Sequence, residues 1–160
     1  MELPVQNQLL TLLKARGETL TGAESLTGGL VADMIVGVPG ASAVFKEAFV
    51  TYCDTAKAKT LGVPEAILKK NGAISSACAG YMARGAARAA EADIAYATTG
   101  NAGPDAAEGK PVGLVYIAVY YRGETVVKEI HLTGDRSSIR RQSAEEALQL
   151  CLQVAKEGRA

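Results

Sequence analysis

The stretch from Glu18 to Gly29 constrains the fold more than any other part of the chain. It begins as an extended run and ends in two glycines, and residues 30–36 then carry apolar side chains at helical spacing. A strand, a tight glycine turn and a helix start bring unpaired backbone N–H groups to one point, where the helix dipole favours negative charge. Ser25 and Glu24 place a hydroxyl and a carboxylate directly before this turn. The pattern predicts a reaction site beside an anion pocket.

Helical and strand-like periodicities alternate along the rest of the chain, and glycine, proline and Asn-Gly mark the breaks between them. We expect 112–121 to be a central strand, because it is apolar on both faces, and 125–132 to lie nearer an edge. The whole predicts one domain over 1–160, an α/β fold built as a three-layer α/β/α sandwich with a mixed, about five-stranded sheet. Helices are predicted at 4–16, 27–36, 64–70, 75–90 and 137–157, and a further short helix is predicted with Asp54 as its N-cap. Strands are predicted in the opening run and at 45–52, 93–99, 112–121 and 125–132.

Composition excludes several classes of protein. Lys and Arg number 17, as do Asp and Glu, and tryptophan is absent, so neither a basic field nor a base-stacking platform for nucleic acid is expected. Three scattered cysteines are a poor disulfide framework and favour a reducing cytoplasm. There is no signal-peptide pattern and no apolar run long enough to span a membrane. The sequence predicts a cytoplasmic protein with no nucleic-acid or membrane partner.

Neither a metal nor a cofactor is predicted. His131 is the one histidine, and a closed zinc site needs about four ligands. Gly28-Gly29 is not followed by the Lys-Ser or Lys-Thr of a P-loop, and the first strand does not end in the dinucleotide-binding fingerprint.

Without a metal, a hydrolase needs a nucleophile or an activated water, together with a base. Ser25 lies at a strand-to-helix corner, which presents a side chain well for attack. Because the base cannot easily be histidine, Lys57 is the candidate, since a desolvated lysine can be neutral near pH 7. Two alternatives remain open at this point: Ser25 as a helix cap, and Lys57 as a solvated surface lysine.

Three glycine-rich or polar corners are predicted in this small domain. The Ser25 corner is the first, the corner that carries Lys57 is the second, and 99–104 forms the third. Parallel neighbouring strands would bring such corners together at the carboxyl ends of the strands, where open α/β sheets bind ligands.

Residues 23–29 resemble the A-E-S-C-T-G-G signature of the CinA C-terminal domain family, the PncC-type nicotinamide-nucleotide amidohydrolases. Further blocks follow in the order and spacing of the family, and together they are specific. These blocks are 38–42, 50–57, 61–63, 71–75, 99–104, 110–113 and 134–136.

The resemblance implies hydrolysis of the carboxamide of nicotinamide mononucleotide to nicotinic acid mononucleotide and ammonia, without a metal. Ser25 would attack the amide carbon and Lys57 would move the proton, or Ser25 would position an attacking water. The partner implied is therefore a small-molecule pyridine nucleotide. The resemblance also implies that the chain forms a homodimer or a higher homo-oligomer.

The resemblance, read with the three corners, gives a predicted set of substrate-binding residues. The Thr27–Gly29 turn would hold either the phosphate or the oxyanion, and Glu24 would orient Lys57 or bond to backbone at the turn. Arg140, one helical turn beyond Arg136, would contact phosphate or carboxylate, although both arginines could instead pair with nearby acidic residues. The predicted substrate-binding residues are Glu24, Thr27, Gly28, Gly29, Tyr52, Thr99, Gly100, Asn101, Gly103 and Arg140.

Three positions depart from the family pattern. Leu26 replaces a cysteine, Thr55 replaces the glutamate of an S-N-E-A-K run, and Asn101 replaces the isoleucine of a G-I-A-G-P loop. These departures favour an alternative, namely a nucleotide-binding module of the same fold with weak or no turnover and a competence- or damage-related regulatory role. Retention of Ser25 and Lys57 favours the enzyme.

Overall fold

The computed structural model describes residues 1–158, and these form six α-helices, one short 3-10 helix and five β-strands. The order of helices and strands is the one that the periodicity predicts. The elements are α1 Val5–Arg16, β1 Leu20–Glu24, α2 Leu30–Val36, the 3-10 helix Ala41–Ala43, β2 Phe49–Val50, α3 Asp54–Leu61, α4 Glu65–Asn71, α5 Ser76–Ala90, β3 Ile94–Gly100, β4 Leu114–Tyr121, β5 Glu124–His131 and α6 Arg136–Glu157.

The five strands form one mixed sheet in the order β2-β1-β3-β4-β5. β1 runs parallel to both β2 and β3, whereas β3–β4 and β4–β5 are antiparallel. β4 lies inside the sheet and β5 forms one edge, as their apolar patterns predict. Because β1, β2 and β3 are parallel, the corners that follow them meet at one edge of the domain.

Each face of the sheet has its own core, which confirms the three-layer sandwich. The larger side chains of the sheet, including Leu20, Ile94 and Tyr96, pack with α1, α2 and α6 on one face. Small side chains such as Ala95 and Ala97 face the alanine-rich α5 on the other side, together with α3 and α4. The alanines allow α5 to lie close to the sheet, since neither surface carries bulky groups there.

Two predicted boundaries are wrong, that of α2 and that of β2. α2 begins at Leu30 rather than at Thr27, because Gly28 and Gly29 have φ values of 55° and 108° and cannot be part of a right-handed helix. β2 contains two residues rather than eight. The segment before it pairs with β1 through an isolated Leu20–Phe45 bridge, and the Thr21 hydroxyl then donates to the Glu47 carbonyl at 2.7 Å.

Within residues 1–158, no helix combines the length and the apolar character that crossing a membrane requires.

Candidate active site

The structure brings Ser25 and Lys57 together at the edge where β1 and β2 end. The Nζ of Lys57 donates to the Ser25 Oγ at 3.1 Å and to the Thr51 carbonyl at 2.8 Å. The N-cap of α2 is Gly29 and makes no side-chain cap bond, so Ser25 is not the cap of this helix. The hydroxyl therefore faces an amine, as an activated nucleophile would.

Lys57 is buried, with 1% of its surface exposed, so it is not a surface lysine. It lies on α3, whose last turn packs so closely on α5 that a Cβ at Gly85 would lie 1.9 Å from the Leu61 carbonyl oxygen. Burial lowers the pKa of Lys57, because desolvation disfavours the ammonium, while the charge of the nearby Asp54 carboxylate opposes this effect. The environment thus favours an amine that can accept a proton.

The dyad opens into a cleft of about 290 Å³ at the carboxyl ends of the parallel strands. Seven of the predicted site residues line it: Ser25, Lys57, Tyr52, Thr99, Gly100, Asn101 and Gly103. Gly100 is required by close packing, since a Cβ there would lie 2.7 Å from the Val115 side chain. All three predicted corners thus contribute to one site.

Glu24 does not line this cleft. Its Oε1 accepts from the N–H groups of Gly29 at 3.0 Å and Val31 at 3.1 Å, and its Oε2 accepts from Ala32 N–H at 3.0 Å and from the Tyr96 hydroxyl at 2.9 Å. Glu24 therefore bonds to the backbone at the turn, which was one of its two predicted roles. The helix-start donors expected to bind an external anion are occupied by a carboxylate of the chain itself.

Alternation along β1 explains this difference. Successive side chains of a strand point to opposite faces, so Glu24 and Ser25 diverge. Glu24 points to the face that α2 covers, whereas Ser25 points towards α3 and Lys57. Among the described residues, Glu24 makes neither a hydrogen bond nor an ion pair with Lys57, so it does not orient this lysine.

Thr27, Gly28 and Arg140 also lie outside the lining of the cleft. The Thr27 hydroxyl shares a hydrogen bond with Thr98 at 2.8 Å, and the Gly28 N–H donates to the Ser25 carbonyl at 3.1 Å. Arg140 donates to the carbonyls of Leu26 at 2.8 Å and Thr27 at 2.9 Å. These residues hold the turn from behind, and the Gly28 N–H and the Arg140 guanidinium are directed at protein.

Arg136, not Arg140, is the arginine of the cleft wall. It is the first residue of α6, where it donates to the Gly103 carbonyl and, at 2.9 Å, to the Tyr52 hydroxyl. Neither arginine pairs with an acidic side chain among residues 1–158. The sequence motif contained both arginines, but their spacing did not show which of them reaches the cleft.

The polar segment 105–111 closes one side of the cleft. The Glu108 carboxylate accepts from the N–H groups of Ala73 at 3.0 Å and Ile74 at 3.1 Å. Lys110 reaches the Asn71 carbonyl at 2.7 Å. The segment is thus anchored to the residues before α5, whereas its composition alone is typical of an unattached loop.

The three departures from the family pattern have different surroundings. Leu26 is buried and supplies an apolar part of the cleft wall. Thr55 is exposed, and its hydroxyl contacts the Cys53 thiol at 3.2 Å. The Asn101 amide is internal to its loop, donating to the Lys110 carbonyl at 3.1 Å and accepting from the Gly103 N–H at 3.3 Å.

Sequence reasoning missed four contributors to this region. Asp54, predicted only as a cap, lines the cleft, as do Asp105 and Glu108. Tyr96 was not singled out, although its position three residues before the third corner on a strand beside β1 could have indicated a contact with Glu24.

This fold and this site define a class: a small α/β protein in which a serine contacts a buried lysine at the carboxyl ends of parallel strands. The model of the CinA C-terminal domain matches residues 2–155, and the chain belongs to that family.

Two kinds of relative differ in length. The nicotinamide-nucleotide amidohydrolase PncC of Escherichia coli K12 is 46% identical over 147 residues, which cover 91% of this chain and 89% of that protein. A CinA-like protein of Dictyoglomus turgidum is 46% identical over 140 residues, which cover 87% of this chain and 34% of the relative. The chain thus spans about a third of the length of the CinA-like relatives.

Solved structures of the same superfamily share the fold. A competence-damaged protein (CinA) superfamily protein from Klebsiella pneumoniae 700603 superposes with a TM-score of 0.92 at 33% identity and 96% coverage of both chains. The competence/damage inducible protein CihA of Agrobacterium tumefaciens gives a TM-score of 0.89 at 35% identity, covering 98% of this chain and 99% of that one.

Proposed function

We propose that this chain is an amidohydrolase that converts nicotinamide mononucleotide to nicotinic acid mononucleotide and ammonia. The observation that carries the proposal is the 3.1 Å contact between the Ser25 hydroxyl and the buried amine of Lys57. The similarity to PncC over nine-tenths of both chains supports the same substrate. Cytoplasmic location and a homo-oligomeric state stay predictions.

In the first half of the reaction, Ser25 Oγ attacks the carboxamide carbon and its proton passes to the neutral Nζ of Lys57. The tetrahedral intermediate then collapses as Lys57 returns this proton to the leaving nitrogen, which departs as ammonia. The product of this half-reaction is an ester between Ser25 and the nicotinoyl group. In the second half, Lys57 takes a proton from water, the water oxygen attacks the ester, and the proton goes back to Ser25 Oγ.

A backbone donor beside Ser25 would stabilise the oxyanion of both intermediates. Within the part of the chain that the structure describes, the N–H group of Leu26, which lines the cleft, has no hydrogen-bond acceptor. Leu26 directly follows the nucleophile, which is the position that supplies one oxyanion donor in other serine hydrolases of strand-turn-helix architecture. We therefore assign the oxyanion to the Leu26 N–H rather than to the Thr27–Gly29 turn.

The phosphate requires a different group, because Glu24 occupies the start of α2. Arg136 lines the cleft and keeps guanidinium donors beyond those that bind Gly103 and Tyr52, so we assign the phosphate to Arg136. Asp54 and Asp105 also line the cleft. Their negative charges favour the cationic pyridinium of the substrate over the neutral free amide.

The test is ammonia release from nicotinamide mononucleotide by the purified protein, with Ser25→Ala alongside. We expect turnover by the unmodified protein and none above background by Ser25→Ala, and a nicotinoyl ester on Ser25 trapped by acid quench and found by mass spectrometry. Lack of turnover with the mononucleotide and with related pyridine nucleotides would refute the proposal that this chain is an amidohydrolase.

The second candidate is a nucleotide-binding module, and the length of the CinA-like relatives, in which this domain is about a third, favours it. Calorimetry distinguishes the two. Tight binding of the mononucleotide without ammonia release would support the nucleotide-binding module, whereas turnover would exclude it.

A further inference from the structure

Tyr96 and Glu24 form a buried pair directly behind the candidate nucleophile. Both side chains are fully buried, and neither lines the cleft. The phenol donates to Glu24 Oε2 at 2.9 Å. Burial raises the pKa of Tyr96 well above its ordinary value, and the adjacent Glu24 carboxylate adds to this, so the phenol remains a donor.

The chain makes room for this contact at an adjacent strand. A Cβ on Gly22 would lie 2.1 Å from the Tyr96 ring, so the ring crosses β1 at a residue without a side chain. Gly22 and Tyr96 are register partners in the parallel β1–β3 pair. The ring is therefore fixed on Gly22 with its hydroxyl directed at residue 24.

The carboxylate then closes a loop around the nucleophile. Through Glu24, the end of β1 is bonded to the N–H groups of Gly29, Val31 and Ala32, and Ser25 is the first residue inside this closed segment. The Ser25 N–H donates to the Thr98 carbonyl of β3 at 3.1 Å. The position of the hydroxyl relative to Lys57 thus depends on how Glu24 holds the start of α2.

We propose that Tyr96 and Glu24 are positioning residues that hold Ser25 against Lys57. The inference rests on the proposed function for its kinetic test, but the geometry can also be tested without that substrate. Because the pair does not touch the cleft or Lys57, its loss should lower the rate of attack and leave substrate binding and the pKa of the base unchanged.

The test variant is Tyr96→Phe, which keeps the ring on Gly22 and removes the hydroxyl. The matched control is Tyr121→Phe, because Tyr121 is also buried and donates to a carboxylate, that of Glu18, at 2.8 Å and at the opposite end of β1. We expect kcat of Tyr96→Phe to fall about tenfold with KM within about twofold, since small misplacements of reacting groups are costly. Tyr121→Phe should keep both constants.

Two further readouts separate positioning from loosening of the fold. The pH dependence of kcat/KM should have the same midpoint in Tyr96→Phe, since the base is untouched, and a shifted midpoint would overturn the inference. Glu24→Gln, which replaces an acceptor by a donor at the helix start, should lower kcat further than Tyr96→Phe does. A fall in kcat of Tyr121→Phe equal to that of Tyr96→Phe would also overturn the inference.

A substrate-independent arm uses a fluorophosphonate probe. Ser25 Oγ forms the bond to phosphorus, fluoride leaves, and Lys57 takes the hydroxyl proton. The labelling rate of Ser25, followed by mass spectrometry, should fall about tenfold in Tyr96→Phe and stay unchanged in Tyr121→Phe. This arm decides the inference even if the mononucleotide is not the substrate. Equal labelling of Tyr96→Phe and the unmodified protein, or no labelling of Ser25 in either, would refute it.

Discussion

Replacing Lys57 by methionine is the sharpest test of the proposed chemistry. The apolar side chain fills a similar volume but cannot accept a proton. A general base contributes about 10²–10⁴-fold to rate, which corresponds to about 3–5 kcal/mol of transition-state stabilisation. We therefore expect kcat to fall by about three orders of magnitude.

The structure also limits what this variant does to stability. Lys57→Met leaves the Thr51 carbonyl without its 2.8 Å donor, and an unsatisfied buried acceptor costs about 1–3 kcal/mol. In a domain of this size each kcal/mol lowers Tm by about 2–4 °C. The variant should therefore remain folded at 25 °C, with a Tm lower by about 10 °C at most, because removal of a desolvated amine offsets part of the loss.

The assay is initial-rate ammonia release at 25 °C, with circular dichroism to confirm the fold. Lys59→Met is the matched control, because Lys59 lies on the same helix but is exposed. It should keep full activity. Ser25→Ala and the double variant Ser25→Ala/Lys57→Met should have similar residual rates, since the two groups act as one unit. Retention of more than about a tenth of kcat by a folded Lys57→Met would remove this lysine as the base.

Three other outcomes are expected. Arg136→Gln should raise KM for nicotinamide mononucleotide about tenfold or more and leave KM for nicotinamide riboside unchanged, because a charge-assisted contact to phosphate is lost. Arg141→Gln serves as the control, because Arg141 is exposed. Equal effects of Arg136→Gln on both substrates would contradict the phosphate role. The pKa of Lys57 is lowered and its neutral form is the base, so kcat/KM should rise with pH through a midpoint below that of an ordinary lysine and then level off; a rate that falls with rising pH over that range would contradict the assignment. Gly22→Ala should lower the free energy of unfolding by about 3 kcal/mol, since its Cβ would lie 2.1 Å from the Tyr96 ring. Adding Tyr96→Val to this variant should restore part of the lost free energy of unfolding. Chemical denaturation measures both variants, and an unchanged denaturation midpoint in Gly22→Ala would disprove the close contact.

Local pattern was sufficient for the order of the elements, but it left open whether Ser25 caps a helix and whether Lys57 is a surface lysine. The periodicities predicted the order of helices and strands, the mixed sheet and the central place of β4, because side-chain burial follows the helical and strand repeats. Ser25 and Lys57 follow two different strands, and parallel pairing of those strands brings their ends together. Their proximity could therefore be predicted once the strands were recognised.

Contacts between residues distant in sequence decided the rest of the site. Whether the start of α2 is free to bind an anion depends on the direction of Glu24 and on Tyr96, 72 residues away. Which arginine faces the cleft depends on how α6 lies across the turn, since Arg136 and Arg140 are one helical turn apart and both are near it.

The sequence by itself thus determined the strand-turn-helix unit and the residue types that can react there. Only the tertiary structure decided that the start of α2, where an anion pocket was predicted, is occupied by Glu24, and that the arginine lining the cleft is Arg136. The physical reason is that propensity and periodicity act over a few residues. A buried donor or charge instead bonds to whichever partner the packed fold brings within hydrogen-bonding distance, and that partner can be far away in the sequence.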